Sequence, residues 1–206
     1  MNAIDLLKQD HDVVDALFKR IEDTPPSRHP PILKRIKSEL DTHAHIEEKL
    51  FYPDLIKKGD KELRNITKEG LEEHAQMKKF LNEAVHATDK EKRQAKVKVL
   101  IEDTRHHVKE EENEMFPMVR KQFSRESLEE LGERMEAERA KFQKSKGITP
   151  RRQQPKGMIE KAMDTAKSAV SSVMPDGKNG FAKKGSKPAK AKAGTKAGSR
   201  SRSSAR

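Results

Sequence analysis

The sequence predicts an all-α protein: an up-down-up-down four-helix bundle, a short fifth helix, and a basic C-terminal tail. Three observations carry that expectation. Four long segments before residue 122 have apolar residues at helical spacing and no strand-like alternation, turn-forming residues separate them, and the composition changes sharply after residue 145.

The first helix is expected from about Ala3 to Glu22, with Ile4, Leu7, His11, Val14, Phe18 and Ile21 along one seam, stopping at Asp23-Thr24-Pro25-Pro26. The second starts at Pro30-Pro31, which suit a helical first turn, and runs to Lys58 before Gly59-Asp60. Its seam is Ile36, Leu40, His43, Glu47 and Leu50. The third, Lys61 to Ala87, aligns Leu63, Thr67, Gly70, His74, Met77, Leu81 and Ala84. The fourth begins near Thr88-Asp89, aligns Val97, Leu100, Thr104, His107, Glu111 and Met115, and ends near Gln122. Ser124, with Glu126 and Ser127 in the next turn, signals the start of a fifth helix that ends between Lys144 and Gly147. The expected organisation is therefore a bundle over 1–122, an accessory helix over 123–147, and a tail over 148–206.

Charge locates the tail. The chain has 45 Lys and Arg against 34 Asp and Glu; the stretch from Ser145 onward holds 16 and 3 of them, leaving 29 and 31 before it. The basic character thus belongs to the tail and says nothing about the bundle. Cysteine is absent, which removes disulfides, thiolate zinc sites, iron–sulfur clusters and cysteine nucleophiles. No apolar run is long enough to span a membrane, and the N-terminal MNAIDLLKQDHD has acids where a secretory signal needs positive charge, so the expected location is cytoplasmic.

Within this frame one pattern occurs twice. Residues 43–53 read HAHIEEKLFYP and residues 107–117 read HVKEEENEMFP, matching His43 with His107, Glu47 with Glu111, Glu48 with Glu112, and Pro53 with Pro117. Upstream of each lies an acid-His pair, Asp10-His11 and Glu73-His74. A spacing of four residues turns a helix by about 400°, so each His and its Glu lie on one side. All six residues, His11, His43, Glu47, His74, His107 and Glu111, fall in register with the apolar seams. Buried carboxylates and imidazoles are costly unless compensated, and no Lys or Arg lies in the four seams. A bound cation is the simplest compensation, and the ligand set suits a pair of iron or manganese ions. The other histidines, His29, His45, His86 and His106, lie off the seams and are expected to be solvated; His106 with Glu110 is an alternative register that the closing Pro and the seam disfavour.

From about Ala3 to Gln122 the chain resembles the hemerythrin-like, or hemerythrin HHE cation-binding, domains, on the strength of those six residues and the endings LFYP and EMFP. The resemblance implies a four-helix bundle with two non-haem iron ions, Glu47 and Glu111 bridging them and His11, His43, His74 and His107 completing the shells. It also implies a departure. Oxygen-carrying members have a fifth His four residues after the one matching His74, where this chain has Lys78. A nearly symmetric centre with an extra open position favours reaction with oxygen or peroxide over reversible carriage, with peroxide decomposition or an oxidative-stress response as the expected role. Asp10, Glu48, Glu73 and Glu112 are candidate hydrogen-bond partners of the histidines by proximity, weighed against a reading as solvent-facing acids, which is favoured. Tyr52 is weighed as a donor to the site against ordinary packing, which is favoured.

The tail is rich in Lys, Ala, Gly, Ser and Pro and is expected not to fold, except for a short amphipathic helix over 158–174. It suggests a second function class: an oxygen, nitric-oxide or iron sensor or store whose tail contacts nucleic acid or another polyanion without sequence preference.

Overall fold

The computed structural model describes residues 1–148, so the expected tail and its helix over 158–174 lie outside the described residues. Within them the secondary structure is helical and no strand is present. Helix α1 spans Ala3–Glu22, α2 His29–Ile46, α3 Tyr52–Lys58, α4 Lys61–His86, α5 Lys90–Glu110, α6 Phe116–Gln122 and α7 Arg125–Ser145. The starts of α1, α4, α5 and α7 are capped by the short polar residues that precede them. Asn2, Asp60, Asp89 and Ser124 each accept from the backbone N–H three residues on, at 3.0, 2.9, 2.7 and 3.2 Å.

The second and fourth expected helices are not regular throughout. Each contains a π-helical turn, Glu47–Phe51 between α2 and α3 and Glu111–Met115 between α5 and α6. In both turns the carbonyl of the first Glu accepts from a residue five positions on, Tyr52 or Phe116. The physical cause is the Pro that follows: Pro53 and Pro117 have no N–H to give, and the wider turn absorbs the missing bond. The extra residue also moves the inward position along the chain. Phe51 is fully buried and Leu50 only half-buried, which corrects the expected seam.

All other seam residues are buried. They form two apolar clusters, one around Ile4, Leu7, Phe51, Leu63 and Met115, the other around Val14, Phe18, Ile36, Leu81 and Leu100. His11 lies between Leu7 and Val14 on α1, and His43 lies between Leu40 and Phe51, so a polar layer separates the two clusters. Helix α7 packs on α1 and α2 through Leu128, Leu131 and Met135. Gly132 permits this closeness: a Cβ there would lie 2.8 Å from the backbone N of Ala3. Among the described residues no helix is long and apolar enough to cross a membrane.

Candidate metal centre

The polar layer consists of the six seam residues. His11, His43, Glu47, His74, His107 and Glu111 are between 0% and 5% exposed, far less than carboxylates and imidazoles ordinarily are. Their four helices bring them to one point. Glu47 Oε2 lies 3.0 Å from His43 Nε2 and 3.3 Å from His74 Nε2. Glu111 Oε2 lies 3.1 Å from His11 Nε2 and 3.6 Å from His107 Nε2. Each carboxylate therefore reaches one histidine from each half of the repeat. The rings pair within halves, His11 with His43 at 5.0 Å between centroids and His74 with His107 at 4.8 Å.

The outward nitrogens follow the same repeat. Each Nδ1 faces a carboxylate adjacent in sequence to another member of the site: Glu112 Oε1 at 2.9 Å from His11, Glu48 Oε1 at 3.0 Å from His74, Glu73 Oε2 at 2.7 Å from His107, and Asp10 Oδ2 at 3.6 Å from His43. All four candidate outer acids thus turn an oxygen toward the site; Asp10 is buried, while Glu48, Glu73 and Glu112 remain partly exposed. An ionised carboxylate cannot donate, so where the contact is a hydrogen bond the imidazole carries its proton on Nδ1 and presents a lone pair at Nε2. Basic side chains back three of these acids: Lys8 Nζ lies 3.2 Å from Glu112, Lys78 Nζ lies 2.6 and 2.7 Å from the two oxygens of Glu48, and Arg139 pairs with Asp10. Lys78 does not reach the centre; it holds the acid that holds His74.

Electrostatics follow from this geometry. Burial disfavours the charged form of His74, but the Glu47 and Glu48 carboxylates, which accept from its ring N–H groups, outweigh it and raise the pKa to about 9. His43 behaves alike, pulled down by burial and lifted well above the ordinary value by Glu47. Burial pushes Glu47 up, and His43 and His74 hold it well below the usual carboxylate range. Burial, reinforced by Glu111 and Glu47, raises the Tyr52 phenol well above its ordinary value, so it remains protonated.

Tyr52 is fully buried, and its hydroxyl donates to Glu111 Oε1 at 2.8 Å, against the packing role favoured from sequence. Gly70 makes room for it, since a Cβ at that position would lie 3.0 Å from the phenol oxygen. Two of the histidines expected in solvent are not there. His29 is buried because Pro25 and Pro26 fold the loop back, and its Nε2 donates to the Thr24 carbonyl at 2.9 Å. His45 is half-buried beneath α7, stacked on Phe142 at 4.1 Å with Nε2 2.9 Å from Glu138. His86 and His106 are exposed, as expected. Beyond Lys8 and Lys78 in the bundle, the partner missing from the sequence reading is Arg139, which comes from α7; the duplicated acids adjacent to His11, His74, Glu47 and Glu111 were the signal for the rest.

The arrangement suits cations. His11 Nε2, His43 Nε2, both Glu47 oxygens and Glu111 Oε2 are buried and make no well-directed hydrogen bond, only the close imidazole–carboxylate contacts given above. Nitrogen and oxygen donors of His43, Glu47, His74 and His107 lie within 4.8 Å of one another, as do those of His11, His43 and Glu111. Buried donors of this kind, aimed inward at one another without well-directed hydrogen bonds, are costly in a metal-free core and satisfied by divalent ions. Beside them, between α2 and α4, is a cavity of about 10 Å³ lined by Leu40, His43, Ala44, His74, Met77, Lys78 and Leu81.

A helical bundle with imidazoles and carboxylates converging at mid-height is a cation-binding protein by architecture, and the chain belongs to the hemerythrin HHE cation binding domain family, which it matches over residues 2–119, more than half of its 206. It is similar to the crystal structure of a hemerythrin HHE cation binding domain-containing protein from Mycobacterium kansasii, with a TM-score of 0.60 and 27% identity over 70% of this chain and 89% of that one. A curated relative, a DNA nickase from Nostoc sp., is 28% identical over 153 residues, 71% of this chain. The match spans only 42% of that relative's length.

Proposed function

We propose that this is a non-haem di-iron protein of the hemerythrin type that binds oxygen or peroxide and reacts with it. One ion would be held by His11 and His43, the other by His74 and His107, with Glu47 and Glu111 shared between them. Iron in this ligand set supplies the redox change that oxygen and peroxide chemistry requires; manganese suits the same donors. The chain supplies the rest. The outer acids fix which imidazole nitrogen faces inward, Tyr52 holds Glu111 and keeps a proton at its hydroxyl, and the two apolar clusters exclude bulk water.

The observation that carries this reading is the facing of His74 Nε2 and His107 Nε2 at 3.1 Å while both Nδ1 atoms are held by carboxylates. Two ring nitrogens so placed need a proton or a metal cation between or beside them. The size of the adjacent cavity supports a small ligand, because about 10 Å³ is room for roughly one water-sized guest. The test is metal analysis of the iron-loaded protein with its visible spectrum under oxygen, peroxide and nitric oxide, together with peroxide consumption. Two irons per chain and a spectrum that responds to oxygen or peroxide are expected; an unresponsive spectrum with no peroxide consumed sinks the reading.

A second reading, an oxygen, nitric-oxide or iron sensor or store acting at nucleic acid, is favoured by the 16 basic residues against 3 acids from Ser145 onward. Salt-sensitive binding to DNA that disappears when residues after 150 are removed, with the metal chemistry intact, supports it. Nicking at the metal centre is disfavoured, since donors at most 5% exposed beside so small a cavity leave no path for a duplex phosphate. The expected cytoplasmic location goes with either reading.

A further inference from the structure

Three of the outer acids are backed by a basic side chain: Glu112 by Lys8, Glu48 by Lys78 and Asp10 by Arg139. Glu73 is backed differently. Its Oε2 lies 2.7 Å from His107 Nδ1, and its other neighbours are Glu110 and His106. Among the described residues neither Glu73 nor Glu110 makes an ion pair with Lys or Arg; Glu73 pairs with His107, and Glu110 with His106 Nε2 at 3.2 Å. One ligand atom each of Glu73, His106 and Glu110 lies within 4.8 Å of the others. His106 and Glu110 stand four residues apart on one face of α5, and Glu73 reaches them from α4. The pair is no part of the duplicated centre, since Thr42 and Ile46 occupy the matching positions of the first copy. Burial and the negative charges of Glu73 and Glu69 push the Glu110 carboxyl above its ordinary range, against the pull of His106, so the place favours a positive charge.

We propose that Glu73, His106 and Glu110 form an outer cation site for a divalent first-row metal ion, separate from the buried centre. Where the other outer acids meet an ammonium or a guanidinium, Glu73 meets a pair of ligands. A metal ion there takes the place that Lys8, Lys78 and Arg139 have beside the other three. One imidazole nitrogen with two carboxylates suits manganese, iron, cobalt or zinc, and the imidazole disfavours calcium and magnesium, which prefer oxygen alone. A carboxylate has two oxygens, so Glu73 can keep one on His107 and offer the other to the ion. The side chain of His106 is largely exposed and those of Glu73 and Glu110 partly so. Water therefore completes the shell, and the ion exchanges with solvent and is lost on desalting. The metal content of desalted protein thus reports the buried centre alone.

Calorimetric titration of the metal-free full chain with cobalt(II) tests the site apart from the centre. Wild type is expected to take up a third ion, held more weakly than the two of the centre. His106→Ala and Glu110→Gln should each weaken that last step by roughly 10-fold or more, with the two tighter steps and the helical circular dichroism unchanged. His86→Ala is the control: it removes another exposed histidine, one whose Nδ1 faces the Asn82 carbonyl at 2.8 Å, and should alter no step. Two tight ions without a third in wild type, a third step untouched by His106→Ala, or one lost equally in His86→Ala overturns the outer site and leaves the centre standing. A single weak ion that depends on His106 supports the outer site and overturns the centre instead. No cobalt bound by wild type overturns both.

Discussion

His74 and His107 meet nitrogen to nitrogen at 3.1 Å in the middle of the bundle, each fixed from behind by an acid, Glu48 or Glu73. In the metal-free protein a proton must do what a cation does in the loaded one. The pKa of His74, about 9 in the fold against 6.5 for an ordinary histidine, expresses this. Because the folded value is raised, the associated stability is complete below 6.5 and is lost as pH rises through about 9. The melting temperature of metal-free protein should therefore fall between pH 6.5 and 9, and that fall should be absent from the loaded protein. Metal binding at pH 7 should release protons, measurable by calorimetry in buffers of different ionisation enthalpy, and the release should vanish above pH 9.

Adjacent histidines on α5 provide a test of register. His107 is 2% exposed and faces the centre, while the side chain of His106 is 66% exposed and its Nε2 lies 3.2 Å from Glu110. His107→Ala should abolish binding of at least one ion, and His106→Ala should leave metal content unchanged and stability within about 0.5 kcal/mol. Equal metal loss from both would refute the assignment of the inward seam.

Tyr52 offers a test of a residue that touches a candidate ligand without being one. Its hydroxyl gives Glu111 Oε1 its 2.8 Å hydrogen bond and lies 3.5 Å from His74 Nε2. Tyr52→Phe removes the donor from a buried charged acceptor, a change of about 1–3 kcal/mol. In metal-free protein this should appear as lost stability; in loaded protein, as a shifted visible spectrum with two ions retained. An unshifted spectrum would reduce Tyr52 to packing.

The helices and the six inward residues were legible in the sequence because helical periodicity and burial are the same signal, and the repeat placed His43 with Glu47 and His107 with Glu111 on common faces. What was not legible depends on contacts between distant segments. Arg139 is 129 positions from Asp10, and nothing local marks it. His45 looked like surface until α7 covered it. The π turns were visible in principle, since Pro53 and Pro117 each interrupt a helical run, but a Pro alone does not say whether the chain kinks or widens. The outer acids were half legible: position singled them out, yet only the fold could show that Glu48 turns toward His74 and Glu112 toward His11, each across the repeat.

Gly70 connects packing to the centre. A Cβ there would stand 3.0 Å from the Tyr52 hydroxyl and 3.6 Å from His107 Cε1. Alanine would gain about 1 kcal/mol of helix propensity in the middle of α4. The contact opposes that gain, because Tyr52 is fully buried and pinned by Glu111, and has nowhere to move. Overpacking of this kind costs about 1–3 kcal/mol, so Gly70→Ala should be destabilising on balance and should perturb the loaded spectrum through Tyr52. The decisive measurement is the double variant. Phenylalanine at position 52 removes the crowded oxygen, so Gly70→Ala should be less harmful, or even stabilising, in a Tyr52→Phe background than in wild type. Strict additivity of the two denaturation free energies would mean that the close approach of Gly70 to Tyr52 does not constrain the site.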